Sequence, residues 1–578
     1  MAAKPIVDWN AVSWDKAERH VFRLQKRIYR ASARGNVQAV HNLQRLLVKS
    51  ESAKLLAVRR VTQDNRGKRT AGIDGVASVT PAGRLKMVKS LNCQNGTKAK
   101  PVRRVLIPKR NNKGQRPLGI PTMLDRAKQA LVKLALEPQW EARFEPNSYG
   151  FRPGRSAHDA IAAVFENTKA KTKFVLDADI KGCFDNIDHN TLLAKLDSTP
   201  AIRRACKAWL KAGAMCGSVY EATDSGTPQG GVISPLLANI ALHGLEEAIR
   251  QSWSEKTGKP TSGPVTKSHM GPALVRYADD FIILSHHEGG VHQAKAVAEQ
   301  WLSRLGLQLN PEKTRIVHTL NECQGSKPGF DFLGFHIRQY PCGKHHDATV
   351  SGGRGHQEPI HRGFKLLITP SNDAQKRHVK ELGDSIRHNR AVSQEQLISL
   401  LNPKVRGWSN YYRTVVSTRV FSAMDHRTYS GLRRWARRRH PNKNAKFVVK
   451  RYWKQVGKRR WAFGPKTGAT LVQHIDTKIQ RHIKVQGSRS PFDGDFTYWG
   501  QRIANYPEIT KQQSLLLKKQ QGRCTGCGLA LRPGDVWEVD HIFPKSLGEN
   551  GKLENLQLLH GHCHDRKTVQ DGSLKRCS

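Results

Sequence analysis

Leu274-Val-Arg-Tyr-Ala-Asp-Asp-Phe-Ile-Ile-Leu284 is an apolar run interrupted by two adjacent acids. Its β-branched and aromatic residues read as one strand. Neighbouring carboxylates in such a strand repel, and one keeps its proton unless a cation intervenes. Phe174-Val-Leu-Asp-Ala-Asp-Ile180 poses the same problem. Strand alternation puts Phe174, Leu176, Ala178 and Ile180 on one face and Val175, Asp177 and Asp179 on the other. A carboxylate at the end of an apolar strand is costly unless a cation or hydrogen bonds receive it. A pair of divalent ions ~3.5–4 Å apart resolves the repulsion, and can activate a 3′-hydroxyl and stabilise a leaving pyrophosphate. Asp179, Asp279 and Asp280 are the carboxylates such a site needs. The alternative for so short a motif is a hairpin with a solvated Asp-Asp turn.

Around these strands, residues 172–340 alternate short apolar segments with helical runs, which predicts an α/β or α+β layer. Upstream, residues 12–60 read as helices. Val21, Leu24 and Ile28 share one face, Val40, Leu43 and Leu47 another, and Gly35-Asn36 separates the two. Val102 to Pro108 and Pro117 to Pro121 flank Arg110-Asn-Asn-Lys-Gly114, the pattern of a strand–turn–strand ribbon. Helix follows over 124–143. Downstream, 341–363 is rich in Gly and His and reads as an insertion or linker. Residues 371–470 read as helical and very basic, 471–510 as a basic connector with aromatic clusters, and a small module starts at 511. There is no internal repeat.

The 578 residues exceed one core, and roughly three to four domains of about 150 residues are expected. Lys plus Arg number 97 against 47 Asp plus Glu, a net +50. Such self-repulsion calls for a polyanion, here nucleic acid, whereas a thermophilic surface would balance Lys with Glu. Cys93, Cys183, Cys206, Cys216, Cys323, Cys342 and Cys577 show no framework spacing, so a reducing compartment is expected. Met1 to Arg30 lacks an apolar signal region and no stretch of ~18 apolar residues exists, so the expectation is a cytoplasmic protein with no membrane partner.

Tyr277-Ala278-Asp279-Asp280 with Asp179 resembles the palm of reverse transcriptases. Asp177-Ala-Asp-Ile-Lys-Gly-Cys-Phe-Asp185 is similar to the family's first catalytic motif. The resemblance implies that Asp179 is a metal ligand and that Phe184, five residues on, screens the sugar 2′ side. Gly226-Thr-Pro-Gln-Gly-Gly-Val-Ile-Ser-Pro235 resembles the next motif, implying that Gln229 lies along the incoming nucleotide. Gly306-Leu-Gln-Leu-Asn-Pro-Glu-Lys-Thr314 and Phe332-Leu-Gly-Phe335 resemble the motifs that follow. Lys109 and Arg116 flank the ribbon's turn. By themselves they are an exposed basic turn, and by resemblance they clamp the triphosphate. Tyr149-Gly-Phe-Arg-Pro-Gly-Arg155 with Ser156-Ala-His-Asp159 reads as a loop entering a capped helix, which the resemblance places in the fingers. The match runs in order from about residue 20 to 340.

Residues 431–460 hold 13 Lys or Arg and no Asp or Glu. Arg433, Arg434, Arg437, Arg438, Lys450 and Arg451 are the candidate RNA-binding cations. Trp435, Phe447, Tyr452 and Trp453 are interleaved and read mostly as core rather than base platforms. Leu401-Asn-Pro-Lys-Val-Arg-Gly-Trp-Ser-Asn-Tyr-Tyr-Arg413 resembles the maturase, or thumb, domain of group II intron proteins. That implies binding of the parent intron RNA and assistance of its splicing.

Cys524-x-x-Cys527 and His560-x-x-Cys563 bracket about thirty residues, a spacing that suits a structural Zn²⁺. The more usual pattern has Cys where His560 stands. Val539-Asp540-His541, Asn555 and His564 with this frame resemble an HNH endonuclease. By resemblance, Asp540 and His564 hold one Mg²⁺ or Mn²⁺, His541 is the general base, and Asn555 fixes the loop that orients His541. His345, His346, His356 and His361 with Cys342 are irregularly spaced in a Gly-rich insertion and are not read as a metal site.

A multidomain α+β chain is therefore expected. Residues 1–60 form an N-terminal helical extension and the start of the fingers, 61–360 the right-hand polymerase fingers and palm, 361–470 the helical thumb/maturase domain, 471–510 a basic DNA-binding connector, and 511–578 a small ββα-metal HNH module. The implied activity is RNA-directed DNA polymerisation from dNTPs with two Mg²⁺, joined to intron splicing and insertion into double-stranded DNA. Rival readings are a reverse transcriptase of a CRISPR-associated or retron system, and a splicing cofactor with a vestigial polymerase site. The sequence does not specify the oligomeric state.

Overall fold

The computed structural model describes residues 8–92, 98–108, 114–217, 219–257, 271–343, 349–350, 360–544 and 552–571. At its centre lies an antiparallel sheet in the order Ala273–Tyr277, Asp280–Ser285, Phe174–Asp179, Arg315–His318. Alternate residues of these strands enter two different cores. Leu176, Leu274, Phe281, Ile283 and Ile316 enter one, and Val175, Val275, Ile282, Leu284 and Val317 the other. A sheet covered on both faces needs apolar side chains in both registers, hence the unbroken Phe281-Ile-Ile-Leu284.

The expectation of one continuous strand over Leu274–Leu284 is corrected here. Tyr277 pairs with Asp280, and Ala278 turns the chain with φ +60°. An L-residue rarely holds that conformation without support. Support comes from behind, where Arg276 donates to the Ala278 carbonyl at 3.3 Å.

The first core is roofed by the helices Met123–Glu141, Ser234–Leu242 and Glu288–Ser303 and by the N-terminal helices Trp14–Ala33, Val37–Lys49 and Glu51–Arg59. Val21, Leu24, Ile28, Val40, Leu43 and Leu47 are buried, as their spacing predicts. Asn36 caps the second helix by accepting from Ala39 N–H. The second core takes in the helix Ala157–Thr168 and the sheet Phe364–Pro370, Phe335–Pro341, Phe330–Phe332. The ribbon expected upstream is present as Val102–Pro108 paired with Gln115–Ile120, and its turn lies outside the described residues.

The helices Asn372–His388, Gln394–Tyr412, Thr418–Arg439 and Ala445–Tyr452 share a third core with Leu382, Leu401, Leu432, Trp435, Tyr452 and Trp453. The expectation of helix through 470 is corrected: Trp453–Val456 and Arg459–Phe463 form a hairpin, because Gly457 supplies a left-handed turn residue and Trp453 and Phe463 point back into the core.

Residues 482–506 strap down the loop at 149–159. Asp159, fully buried, accepts from Val485 N–H at 2.8 Å and pairs with His482 at 3.1 Å and with Arg502. Arg155 donates to the carbonyls of Gly487 and Arg489. Gly154 has room for no side chain, since a Cβ there would strike the Trp499 ring. Val485 and Trp499 belong to the same core as the central sheet.

The last module pairs Trp537–His541 with Leu556–His560 and continues into the helix Gly561–Gln570. It rests on the N-terminal helices: Arg566 faces Asp15 at 3.8 Å, Asp565 faces Arg59 at 3.4 Å, and Arg532 lies 4.4 Å above the Phe22 ring. Among the described residues no helix is long and apolar enough to cross a membrane.

Candidate active sites

Asp179 ends its strand directly opposite Asp280, and Asp279 occupies the turn beside them. Three carboxylates thus converge where two strands end. Loss of solvent in this cleft, followed by repulsion from Asp279 and Asp179, pushes Asp280 up to about 7, although its outer edge meets solvent. Asp279 is also raised, by burial and then by Asp179. Lys313 Nζ approaches Asp179 at 2.6 Å, and Asn310 N–H donates to the Asp179 carbonyl at 2.8 Å. Asp177 points elsewhere, to Arg315 at 3.1 Å. Three crowded acids, two of them with raised proton affinity, suit divalent cations.

The turn is braced by Arg276, Asn239 and Glu145, which the sequence reading did not single out, and by Tyr149 and Gly150 of the loop motif that it did. Arg276, fully buried, donates to Asn239 Oδ1 at 3.2 Å as well as to the Ala278 carbonyl, and lies 3.9 Å from Glu145. Glu145, though buried, is held down to about 2 by a hydrogen bond with His243 and by Arg276. Gly150 abuts the turn so closely that a Cβ would collide with the Ala278 nitrogen. Tyr149 N–H donates to the Arg276 carbonyl at 2.9 Å. The Tyr149–Arg155 loop is therefore the back wall of the carboxylate turn. An arginine inside an apolar strand was the available signal, and its direction could not be read from alternation.

Phe184 sits in the short helix Cys183–Asn186 with its ring edge-on to Phe151 at 6.2 Å. Gln229 donates to Asp185 at 3.3 Å. Gly226 lies against Asp185 with φ +83°, a position only glycine fills. Gly119 N–H donates to the Gln229 carbonyl at 2.6 Å, bringing the Gln115–Ile120 strand to this cleft. Phe184, Asp185 and Gln229 line a cavity of about 290 Å³ together with Arg104 and Pro117. Arg116 is exposed on that strand, and its charge favours the ionised form of Asp279. Lys109 lies outside the described residues.

In the C-terminal module, ligand atoms of Cys524, Cys527, His560 and Cys563 all lie within 4.8 Å of one another. His560 turns Nδ1 toward Cys527 Sγ at 3.4 Å. The thiols of Cys524, Cys527 and Cys563 share hydrogen bonds with one another, so the proton one gives up is held by its neighbours until a metal displaces it. Three sulfurs and one imidazole in this cluster fit a tetrahedral zinc ion. On the outer face, His564 Nε2 lies 3.8 Å from Asp540, which also faces Lys567 at 3.4 Å and accepts from Gln557 at 3.1 Å. His541 is next in the strand and half-buried. Asn555 accepts from Phe543 N–H at 2.8 Å and donates to the Phe543 carbonyl at 3.1 Å, closing the loop after His541.

Four family models match successive parts of the chain: the N-terminal domain of reverse transcriptase over 9–91, reverse transcriptase (RNA-dependent DNA polymerase) over 107–337, the group II intron maturase-specific domain over 375–453, and HNH endonuclease over 524–570. Protein YkfC of Escherichia coli is 31% identical over 353 residues, which is 55% of this chain and 88% of that protein. The group II intron-encoded protein LtrA of Lactococcus lactis is 31% identical over 415 residues, 60% of this chain and 66% of LtrA. This chain belongs to the group II intron reverse transcriptase/maturase family. It carries an HNH endonuclease domain, and it spans just under two thirds of the length of LtrA.

Within this group II intron protein, Arg433, Arg434, Arg437, Arg438, Lys450 and Arg451 are all exposed on the matched maturase-specific domain. Trp435, Tyr452 and Trp453 are buried, whereas Phe447 is 41% exposed. The aromatics thus hold helices together and the cations face outward, available to phosphates.

Proposed function

We propose that this group II intron protein is an RNA-directed DNA polymerase that binds its intron RNA, assists splicing, and supports insertion into double-stranded DNA with HNH cleavage of one strand. The convergence of Asp179, Asp279 and Asp280 at the ends of two paired strands carries the polymerase reading. In it, the central sheet is the palm, the Val102–Ile120 ribbon belongs to the fingers, and the helices from 372 onward are the thumb. Asp179, Asp279 and Asp280 would hold two Mg²⁺, which when bound would supply activation of the primer 3′-hydroxyl and stabilisation of the leaving pyrophosphate. Phe184 closes the sugar side of the cleft against a 2′-hydroxyl. Gln229, fixed by Asp185 and by its backbone bond to Gly119, presents the incoming dNTP. Lys109 and Arg116 neutralise its triphosphate.

For the nuclease, Asp540 and His564 would hold one Mg²⁺ or Mn²⁺, which when bound would supply polarisation of the scissile phosphate. His541 accepts the proton of the attacking water. Asn555 keeps the following loop closed so that His541 stays aimed at the phosphate. Zinc at Cys524, Cys527, His560 and Cys563 staples a module whose own core is small. The 471–510 segment contributes its exposed cations to DNA, and the exposed arginines of the maturase domain contact intron RNA.

Primer extension on an RNA template with Mg²⁺ tests the reading, comparing the wild type with Asp279→Ala. Extension lost in the variant with RNA binding retained is the expected result. No extension from a folded, RNA-binding wild type would leave a splicing cofactor with an attached nuclease.

A further inference from the structure

His560 stands where a fourth cysteine would equally hold zinc, and the surroundings give a reason for the imidazole. With Nδ1 turned to the sulfurs, Nε2 faces Asp535 at 3.6 Å. Asp535 accepts from Arg532 N–H at 2.9 Å and Nε at 3.2 Å. Arg532 covers the Phe22 ring and lies 3.9 Å from Glu18. Glu18 in turn lies 3.3 Å from His562 Nδ1, and His562 stacks on His560 with ring centres 5.2 Å apart. Glu18 and Phe22 are one turn apart on the helix Trp14–Ala33, at the opposite end of the chain. Glu18 Oε2, His560 Nε2 and His562 Nε2 are buried without a hydrogen-bond partner at these distances.

We propose that Asp535 and Glu18 are outer-sphere positioning residues of the zinc centre, so that metal binding locks the nuclease module onto the first helix of the polymerase half. This rests on the zinc reading above. A metal bond at Nδ1 fixes the ring as the Nε2–H tautomer and aims that hydrogen at a carboxylate. The carboxylate then orders Arg532 against Glu18 and Phe22. Without the metal nothing fixes which ring nitrogen carries the proton, and the chain of interactions to helix Trp14–Ala33 loses its first link. A cysteine at 560 has no second donor and would bind zinc without passing the constraint on.

The test uses the full chain with measured zinc content. It follows deuterium uptake by peptides from helix Trp14–Ala33, and zinc loss to an excess of chelator, in wild type, H560C, D535N and E18Q. One zinc per chain is expected in wild type, with uptake by the helix rising when zinc is removed. H560C should retain one zinc yet show the uptake of the zinc-free protein. D535N and E18Q should lose zinc about 10-fold faster or more while primer extension stays at the wild-type level. The proposal is overturned if H560C keeps helix protection, or if both D535N and E18Q lose zinc at the wild-type rate. Two zinc ions in wild type and one in E18Q would also overturn it, making Glu18, His560 and His562 ligands of a second ion. No zinc in wild type would instead remove the zinc reading itself.

Discussion

Lys313 Nζ lies 2.6 Å from Asp179 Oδ2, so the carboxylate cluster holds an internal cation of its own. Asp279 and Asp280 also feel this charge. An exposed pair of this kind contributes about 0–1 kcal/mol, so Lys313→Gln should change stability little in metal-free buffer. It removes a competitor for Asp179, and added Mg²⁺ should then raise the melting temperature more in the variant than in wild type. Thermal unfolding against Mg²⁺ concentration reads this directly. An equal or smaller rise in the variant would mean that Lys313 and the metal do not compete.

Asp280 gives a pH signature. Its folded pKa is about 7 against 3.8 for an ordinary aspartate, so the native state binds the proton more tightly than the unfolded chain. Stability of the metal-free protein should therefore fall as pH rises from about 4 to about 7 and level off above. Asp280→Asn should be more stable than wild type at pH 8 in a chelator, with the gap narrowing toward pH 5. Denaturant midpoints at the two pH values check the sign. The same variant should not extend a primer at any pH.

The two chemistries should separate. His541→Ala should lower strand nicking by about 10²–10⁴-fold and leave primer extension intact. Asn555→Ala should also lower nicking while leaving metal affinity, because Phe543 loses both its partners. A plasmid-nicking assay beside primer extension distinguishes these outcomes from general misfolding, in which both would drop.

Asp159 is an ordering charge in the interior. Its carboxyl is held well below the usual range despite burial, by His482, Arg502 and the Val485 amide. Asp159→Ala strands Arg502 and His482 without compensation and should cost about 3–5 kcal/mol, seen as a lower urea midpoint for the unit containing the central sheet. The depressed pKa means that this stabilisation is complete above the ordinary Asp range and lost only as pH falls through the lower folded value.

For RNA, changing Arg433, Arg434, Arg437 and Arg438 to Gln should weaken binding across sequences. It should also flatten the plot of log affinity against log salt by about 0.7–0.9 for each phosphate left unneutralised. Filter binding over a salt series suffices. A changed affinity with an unchanged slope would place these arginines away from the phosphates.

The convergence of Asp179, Asp279 and Asp280 was legible because their chemistry forbids that pattern in an ordinary strand. The N-terminal helices were legible because Val21, Leu24, Ile28 and their neighbours repeat at helical spacing over whole turns. The hairpin was legible only as the alternative to a continuous strand, since its turn residue at positive φ is Ala278, supported by Arg276 from behind, rather than a glycine. Residues 482–506 fall within the stretch 471–510 read as a basic connector, because composition reports charge and not partners. What anchors them is an Asp159–Arg502 pair spanning 343 positions, beyond the reach of any local pattern. Lys313 was visible inside a motif, but its approach to Asp179 depends on how two distant strands pair.

That strap decides where the gene can be shortened. A stop codon after the helix Phe496–Ala504 removes the HNH module and leaves Val485 and Trp499 in the core of the central sheet and Arg502 on Asp159. A stop codon ahead of His482 deletes the same nuclease and also opens the polymerase interior. A nuclease-free derivative, natural or engineered, is expected to keep its copying activity only when its end point falls on the far side of Arg502.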